Sequence, residues 1–416
     1  MGQRRRADGL IPRGRLRTVA PDVKAWRRSL DQDLSALGRS LAPAASEFGE
    51  AQLPANAATR FPEAARLAAT IAGRLEEIAD TADDLDSTVE AEENGEDQAV
   101  SKAAEELRGA AEGLRRAFRE PLRDAVAAFE RLDPPYDRWR LVIRAVSPAQ
   151  AFHSGFVERL EAFACVSASL FIAGDSTASV GELELDPPGD ENVTRLEVAS
   201  PFDYANQMRV VAFASRGELV DEMTETLAQT TRLLGGRSLG LFTSLRRLRD
   251  VDERLAETLR GEGFDILAPR RATDDPAALV ERFRRAGGGG VLLGARTFWQ
   301  GIDIAGPALQ AVVIEKLPFE VPTELRKRRE ALIKASGGDA FGRYTMGKML
   351  LNLKQMVGRL IRAEDDRGIV VIVEGRTDRG YFRRLGDALP RGSRIAEASL
   401  ADLPRLLAEV GIDPDG

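Results

Sequence analysis

The chain has 416 residues, 43% hydrophobic and 30% charged, with 38 Gly and 20 Pro, a globular composition long enough for two or three domains. One cysteine, Cys165, and one histidine, His153, exclude an internal disulfide, a four-cysteine iron–sulfur cluster and a His-rich zinc site within this chain. The net charge of −7 hides an asymmetry: residues 1–28 carry nine Arg/Lys against two Asp, whereas residues 76–106 carry thirteen acids against Lys102 alone, so the acidic stretch is excluded as a nucleic-acid surface.

The basic leader lacks interleaved aromatic residues and reads as a solvated tail or as the interior of a longer protein. No apolar h-region follows Arg4–Arg6, and no apolar run approaches the roughly 20 residues of a membrane helix. A membrane partner is not expected, and a cytoplasmic address is. From Val23 to about Leu132 apolar residues recur at helical spacing: Leu30, Leu34, Leu37 and Leu41, then Leu67, Ile71, Leu75 and Ile78, then Leu114, Phe118, Leu122, Val126 and Phe129. This predicts an all-helical region in which residues 60–88 and 99–132 form a long antiparallel hairpin, joined at the acidic stretch Glu90–Gln98. Each arm would be about 45–50 Å long.

At Asp133-Pro134-Pro135 the texture changes to short β-branched runs alternating with helices, which predicts parallel α/β architecture. Candidate strands are Arg140–Ala145, Ala164–Ser167, Arg209–Ala214, Leu239–Thr243, Phe264–Leu267, Val291–Gly294, Ala311–Glu315 and Ile369–Glu374, with helices between them, the last running from Tyr344 to Arg362. Residues 200–390 thus supply one complete doubly wound domain. Residues 136–175 supply only two strands, too few to close a sheet. Cys165, in a predicted core strand, reads as a buried small hydrophobe, and His153 as a surface or capping residue.

Two strings carry chemistry. Gln355-Met-Val-Gly358-Arg359-Leu-Ile-Arg362 sets two arginines three residues apart at the end of a helix, where both guanidinium groups can reach one anion, such as a transferring phosphoryl group. The alternative is a surface ion pair with Glu364, Asp365 or Asp366. Gly294-Ala-Arg296-Thr297-Phe-Trp299-Gln-Gly301-Ile-Asp303 follows a predicted strand directly, and strand C-termini are where α/β sheets bind ligands. Asp303 is suited to accept from a sugar hydroxyl. Arg296, Thr297 and Trp299 offer a charge, a hydroxyl and a stacking face for a nucleic-acid backbone, although a core position for Trp299 fits equally well. Gly342-Arg-Tyr-Thr-Met-Gly347-Lys348 fits the spacing of a phosphate loop, but Met349 follows where Ser or Thr is needed and no strand precedes it. Asp221-Glu222 and Asp252-Glu253 lie in predicted amphipathic helices and read as solvated faces.

Phe298-Trp-Gln-Gly-Ile-Asp303, then Lys316-Leu-Pro-Phe-Glu-Val-Pro322, then Gln355-x-x-Gly-Arg-Leu-Ile-Arg362 with Asp365-Asp-Arg-Gly368 resemble, in order and spacing, motifs V and VI of DinG/XPD-type superfamily 2 helicases. Upstream, Leu241-Phe-Thr-Ser244 resembles motif IV, Ser200-Pro-Phe-Asp203 the entry to the second motor domain, and Ser167-Ala-Ser169-Leu170 motif III. The resemblance implies three parts: 1–135, a helical arch-like region with a basic tail; 136–198, the last strands of RecA-like motor domain 1; and 199–416, RecA-like motor domain 2. It implies ATP-dependent, 5'-to-3' movement on single-stranded DNA. In the implied site, Gln355, Arg359 and Arg362 face the γ-phosphate, and Gly301, Asp303 and Gly358 lie by the nucleotide. Thr243, Ser244, Arg296, Thr297 and Trp299 hold the strand, while Ser167 and Ser169 couple the domains.

The sequence departs from that pattern at Ser169, where Thr is usual, and at Gln300, where Glu is usual. A Walker A loop, the four cluster cysteines and an Asp-Glu-Ala-His box are absent from it. ATP and Mg2+ are therefore expected to be bound mainly by an N-terminal helicase half, from the same gene or a separate subunit, and the chain alone is expected to be inactive as an ATPase. The competing reading is a non-catalytic nucleic-acid-binding or interaction module derived from a helicase. A generic Rossmann enzyme is disfavoured, because no G-x-G-x-x-G follows an early strand.

Overall fold

The computed structural model describes residues 23–42, 50–54, 56–87, 97–119, 124–132, 138–185, 190, 192–214, 217–270, 274–299, 304 and 306–413. The chain divides into two compact units, Met1–Ser147 with Pro322–Arg329, and Pro148–Val321 with Glu330–Gly416. The first unit therefore runs beyond the prolines at 134 and 135.

In the first unit, α1 (Val23–Leu41), β1 (Glu50–Gln52), α2 (Pro62–Ser87), α3 (Asp97–Arg119), β2 (Ala125–Leu132) and β3 (Arg138–Ala145) follow one another. The helical hairpin is present: Arg115 of α3 pairs with Glu76 of α2, and Arg108 with Asp80 and Asp83, an antiparallel register. Its seam buries Ala68, Ile71, Ala72 and Leu75 against Ala104, Leu107, Ala111 and Leu114. Burying a residue such as Ile71 contributes about 1.5–3 kcal/mol.

The region is not all-helical. Residues 125–132, expected in the second arm, form the centre of a three-stranded antiparallel sheet, β1-β2-β3. Ala125–Phe129 are all buried, and so short an apolar run does not distinguish strand from helix by periodicity. The expected strand Arg140–Ala145 is β3, so it belongs to this sheet and pairs with β2. The segment 322–329 lies on the same sheet, where Arg328 Nη1 donates to the Ala125 carbonyl at 2.8 Å and Arg329 Nε to that of Val146 at 2.9 Å.

The second unit is built on seven strands: β4 (Met208–Phe213), β5 (Ser238–Leu241), β6 (Asp265–Leu267), β7 (Gly290–Gly294), β8 (Ala311–Lys316), β9 (Gly368–Glu374) and β10 (Ile395–Ala398). Their order is β10-β4-β9-β8-β5-β7-β6, and every pairing is parallel. All C-terminal strand ends therefore share one edge. Its main helices are α4 (Ala149–Gly155), α5 (Leu219–Leu233), α6 (Leu245–Thr258), α7 (Pro276–Arg285), α8 (Arg296–Trp299), α9 (Glu324–Ala335, of which residues from Glu330 belong to this unit), α10 (Met346–Val357) and α11 (Leu403–Ala408).

Val312, Ile314, Val370 and Ile372 point to one face and pack with Phe283 of α7 and Met349, Leu353 and Met356 of α10. Val313, Val371 and Val373 point to the other and pack with Leu227 of α5, Leu255 of α6 and Leu407 of α11. Strands covered on both faces read as continuous apolar runs, which is why β4, β5, β7, β8 and β9 were visible in the sequence; the expected strand Phe264–Leu267 is the edge strand β6, where only Leu267 is buried. β10 was not visible, because Ile395-Ala-Glu-Ala is only four residues long, is interrupted by Glu397 and lies at the edge of the sheet.

The expected strand Ala164–Ser167 is in no ladder among the described residues, and Cys165 is exposed rather than buried. A strand with apolar residues on both sides needs a sheet on both sides, and these residues have none here. His153 ends α4, half-buried, with Nε2 2.8 Å from the Leu183 carbonyl, so it is a tie between segments and not a cap. No helix among the described residues is long and apolar enough to cross a membrane.

Candidate nucleotide and nucleic-acid site

Of the residues singled out from the sequence, Thr243, Ser244, Arg296, Thr297 and Trp299 follow the C-terminal ends of β5 and β7, whereas Gln355, Gly358, Arg359 and Arg362 lie at the end of α10, ahead of β9. After β7, the chain turns at Gly294 into α8. A Cβ on Gly294 would lie 2.1 Å from Cγ of Phe298, so this glycine makes room for a core ring and not for a ligand. Arg296 is 65% exposed, with Nη2 3.7 Å from Glu320 Oε1, and Thr297 is exposed beside it. Trp299 is not a stacking face: it is 6% exposed and packs in the core with Phe298. Gly301 and Asp303 lie outside the described residues.

After β5, Thr243 donates from its backbone N–H and its hydroxyl to Glu315 Oε2, at 2.8 and 2.9 Å. The Arg247 guanidinium donates through Nε to Glu315 Oε1 and through Nη2 to the Thr243 hydroxyl at 3.2 Å. The single hydroxyl proton of Thr243 is thus committed to a carboxylate that is 1% exposed, and none remains for a phosphate. Ser244 caps α6, accepting from the Arg247 N–H at 3.4 Å. This corner is a buried ion pair that fixes the β5–α6 turn. Nothing in the sequence marked Glu315 or Arg247, since neither lies near the other in the chain. Removing one partner of a buried pair strands the other charge. Glu315→Ala is expected to cost about 3–5 kcal/mol, measured by urea unfolding; a loss below about 1 kcal/mol would show that Arg247 finds water instead.

The arginine string does not continue the helix. α10 ends at Val357, Gly358 is its C-cap, and Arg359 and Arg362 lie on the turn and loop beyond, so helical spacing does not set their relation. Arg359 Nε donates to the Gln355 carbonyl at 3.2 Å. The loop is held by two residues that sequence reasoning did not assign. Asp366, 4% exposed, accepts at Oδ2 from the N–H groups of Arg362 (2.7 Å) and Ala363 (2.8 Å), and at Oδ1 from that of Gly306 (3.1 Å). Gln207, 2% exposed, donates through Nε2 to the carbonyls of Ala363, Glu364 and Asp366 at 3.2, 2.9 and 3.1 Å. Asp366 is therefore a backbone brace and not a surface ion-pair partner.

Gln355 reaches the other serine string: its Nε2 lies 3.4 Å from Ser169 Oγ, which is 3.3 Å from Ser167 Oγ. Beside it, Lys354 Nζ donates to the Phe171 carbonyl at 2.8 Å, and burial holds this ammonium below the ordinary lysine pKa. The segment around 169–171 is thus tied to α10 by two consecutive side chains. The Gly342–Lys348 string forms a π-turn at Ala340–Thr345 running into α10, with no strand before it. Asp252 is not solvated, as its helix position suggested. It is 6% exposed and takes two hydrogen bonds from Arg270, at 2.8 and 2.9 Å.

Residues 227–392 match the family described as helicase C-terminal domain. The 3'-5' exonuclease DinG of Bacillus subtilis (strain 168) is 27% identical over 273 residues, 63% of this chain and 29% of that protein. The ATP-dependent helicase DinG of Mycobacterium tuberculosis (strain ATCC 25177 / H37Ra) is 33% identical over 220 residues, 50% of this chain and 32% of that protein. The ATP-dependent DNA helicase YoaA of Escherichia coli (strain K12) is 28% identical over 283 residues, 64% of this chain and 43% of that protein. The chain thus spans less than half the length of these relatives.

A doubly wound parallel sheet matched across α5 to the residues following β9 is a helicase C-terminal domain. More narrowly, the relatives that this region resembles are DinG and YoaA proteins, matched over less than half of their own length.

Proposed function

We propose that this chain is the arginine-bearing half of an ATP-driven motor on single-stranded DNA. The observation that supports it best is the end of α10, where Gln355 sits in the last turn of the helix and Arg359 and Arg362 follow on a turn and loop braced by Asp366 and Gln207. ATP, bound through its phosphates by a half with a Walker loop, from the same gene or a separate subunit, meets these residues at its γ-phosphate. Arg359 and Arg362 stabilise the charge that develops on the transferring phosphoryl group. Gln355, in contact with Ser169, links that event to the segment carrying Ser167. Gly358 permits close approach of backbone to the nucleotide, and Gly301 and Asp303 serve its ribose side.

Arg296 and Thr297 hold the DNA backbone, together with the Thr243–Ser244 turn, where Thr243 acts through Glu315 and not through a free hydroxyl. Movement is 5'-to-3', as in the family that the motifs resemble. Mg2+ is expected to be held with the ATP phosphates mainly by the Walker-bearing half. The second reading is a DNA-binding or interaction module without turnover.

The test is DNA-stimulated ATP hydrolysis by the 416-residue chain, alone and with the Walker-bearing half supplied. The expected result is negligible turnover alone and DNA-dependent turnover in the mixture. Turnover by the pure chain that Arg362→Ala abolishes would contradict the division of labour. DNA binding without turnover in either sample would favour the module.

A further inference from the structure

Apart from Glu320, the string Lys316-Leu-Pro-Phe319-Glu-Val-Pro322 has no part in the site described above, yet it leaves the same edge of the sheet. Phe319 lies just beyond the C-terminal end of β8, and Arg376 just beyond that of its parallel neighbour β9. There the Phe319 ring meets Tyr381 edge-on, with centroids 5.7 Å apart at 71°. Phe341, from the π-turn before α10, also lies against Tyr381, at 6.3 Å and 51°. Phe319 and Tyr381 are half-buried on the core, whereas Phe341 is 52% exposed. Two of the three rings are thus anchored on the core, and the third, Phe341, rests against Tyr381 and is open to solvent.

Arginines rim this cluster. Residues 376–394 carry six Arg against two Asp. Arg384 Nη1 donates to the carbonyl of Gly342, next to Phe341, at 3.0 Å. Arg376, Arg379 and Arg384 pair with Glu374, Asp378 and Asp387, yet keep side-chain exposures of 46%, 55% and 47%. The carboxylates hold the arginines in place without covering them. The cluster also continues the surface already described, because Glu320, next to Phe319, is the residue that Arg296 approaches at 3.7 Å.

Anchored rings with an exposed face beside a positively charged track are what a single strand uses: bases stack on the rings while phosphates follow the charge. We propose that Phe319, Phe341 and Tyr381, rimmed by Arg376, Arg379 and Arg384, form a base-stacking platform for single-stranded DNA. It extends the strand site from Arg296 across the ends of β8 and β9. This rests on the reading of the chain as a DNA motor half and adds to it a contact with bases.

The test is fluorescence anisotropy of the full chain with a labelled oligothymidylate and with an abasic oligomer of the same length. Phe341→Ala is expected to weaken oligothymidylate binding about 5- to 150-fold, the range of one lost stacking contact, and to leave abasic binding unchanged, with Phe341→Trp restoring the difference. Wild-type affinity for oligothymidylate in Phe341→Ala, or equal wild-type affinity for both oligomers, would overturn the platform. The DNA reading itself is judged separately by Arg296→Ala, which should weaken both oligomers alike. If the wild-type chain binds neither, the platform and the reading fall together.

Discussion

Arg362→Ala is expected to lower the ATP turnover of the assembled motor by about 10³-fold or more, the range over which arginine fingers act, with a much smaller change in KM for ATP. The asymmetry follows from when the charge appears. A guanidinium placed for the transferring phosphoryl group gains most of its interaction in the transition state, and removing such an interaction lowers kcat and not only affinity. Arg359→Ala is expected to act in the same direction but to perturb the end of α10 as well, because Arg359 Nε is bonded to the Gln355 carbonyl. Steady-state kinetics with saturating single-stranded DNA separates these outcomes. A kcat within threefold of wild type for Arg362→Ala would remove it from the chemistry, whatever its effect on DNA binding.

The doubly wound sheet was legible because its strands are buried on both faces, so each stands out as an apolar run bounded by turns. The hairpin α2–α3 was legible because one face of each helix repeats at helical spacing. Two kinds of feature were hidden. One was β2: Ala125–Phe129 is a short apolar run whose state is settled by its neighbours β1 and β3 and not by its own pattern. The other was every polar tie between residues far apart in the chain. Glu315 reads as the end of a strand and Arg247 as one of many arginines on a helix. Gln207 precedes a strand and Asp366 sits in an acidic loop. Only the fold brings Gln207 to the carbonyls of 363–366 and Asp366 to the N–H of Gly306. Trp299 was ambiguous for a related reason, since α8 has a solvent face at Arg296 and Thr297 and a core face at Phe298 and Trp299.

Asp366 is the residue whose loss should best reveal how the arginine loop is held. Three backbone N–H groups converge on its carboxylate, and the group is 4% exposed, so water does not readily replace it. A buried donor left without an acceptor costs about 1–3 kcal/mol. Asp366→Ala is therefore expected to destabilise the second unit by at least about 3 kcal/mol, which for a domain of this size lowers Tm by about 6–12 °C. Asp366→Asn retains one acceptor oxygen and should fall between wild type and alanine. The neighbouring Asp365 is exposed, and Asp365→Ala should stay within about 0.5 kcal/mol of wild type. Calorimetry on the three variants tests the brace directly. Equal effects at 365 and 366 would mean that the loop is set by its own chain and not by this carboxylate. If the brace is real, Asp366→Asn should also lower the turnover of the assembled motor at temperatures where the fold is intact, because Arg362 takes its position from the N–H that Asp366 accepts.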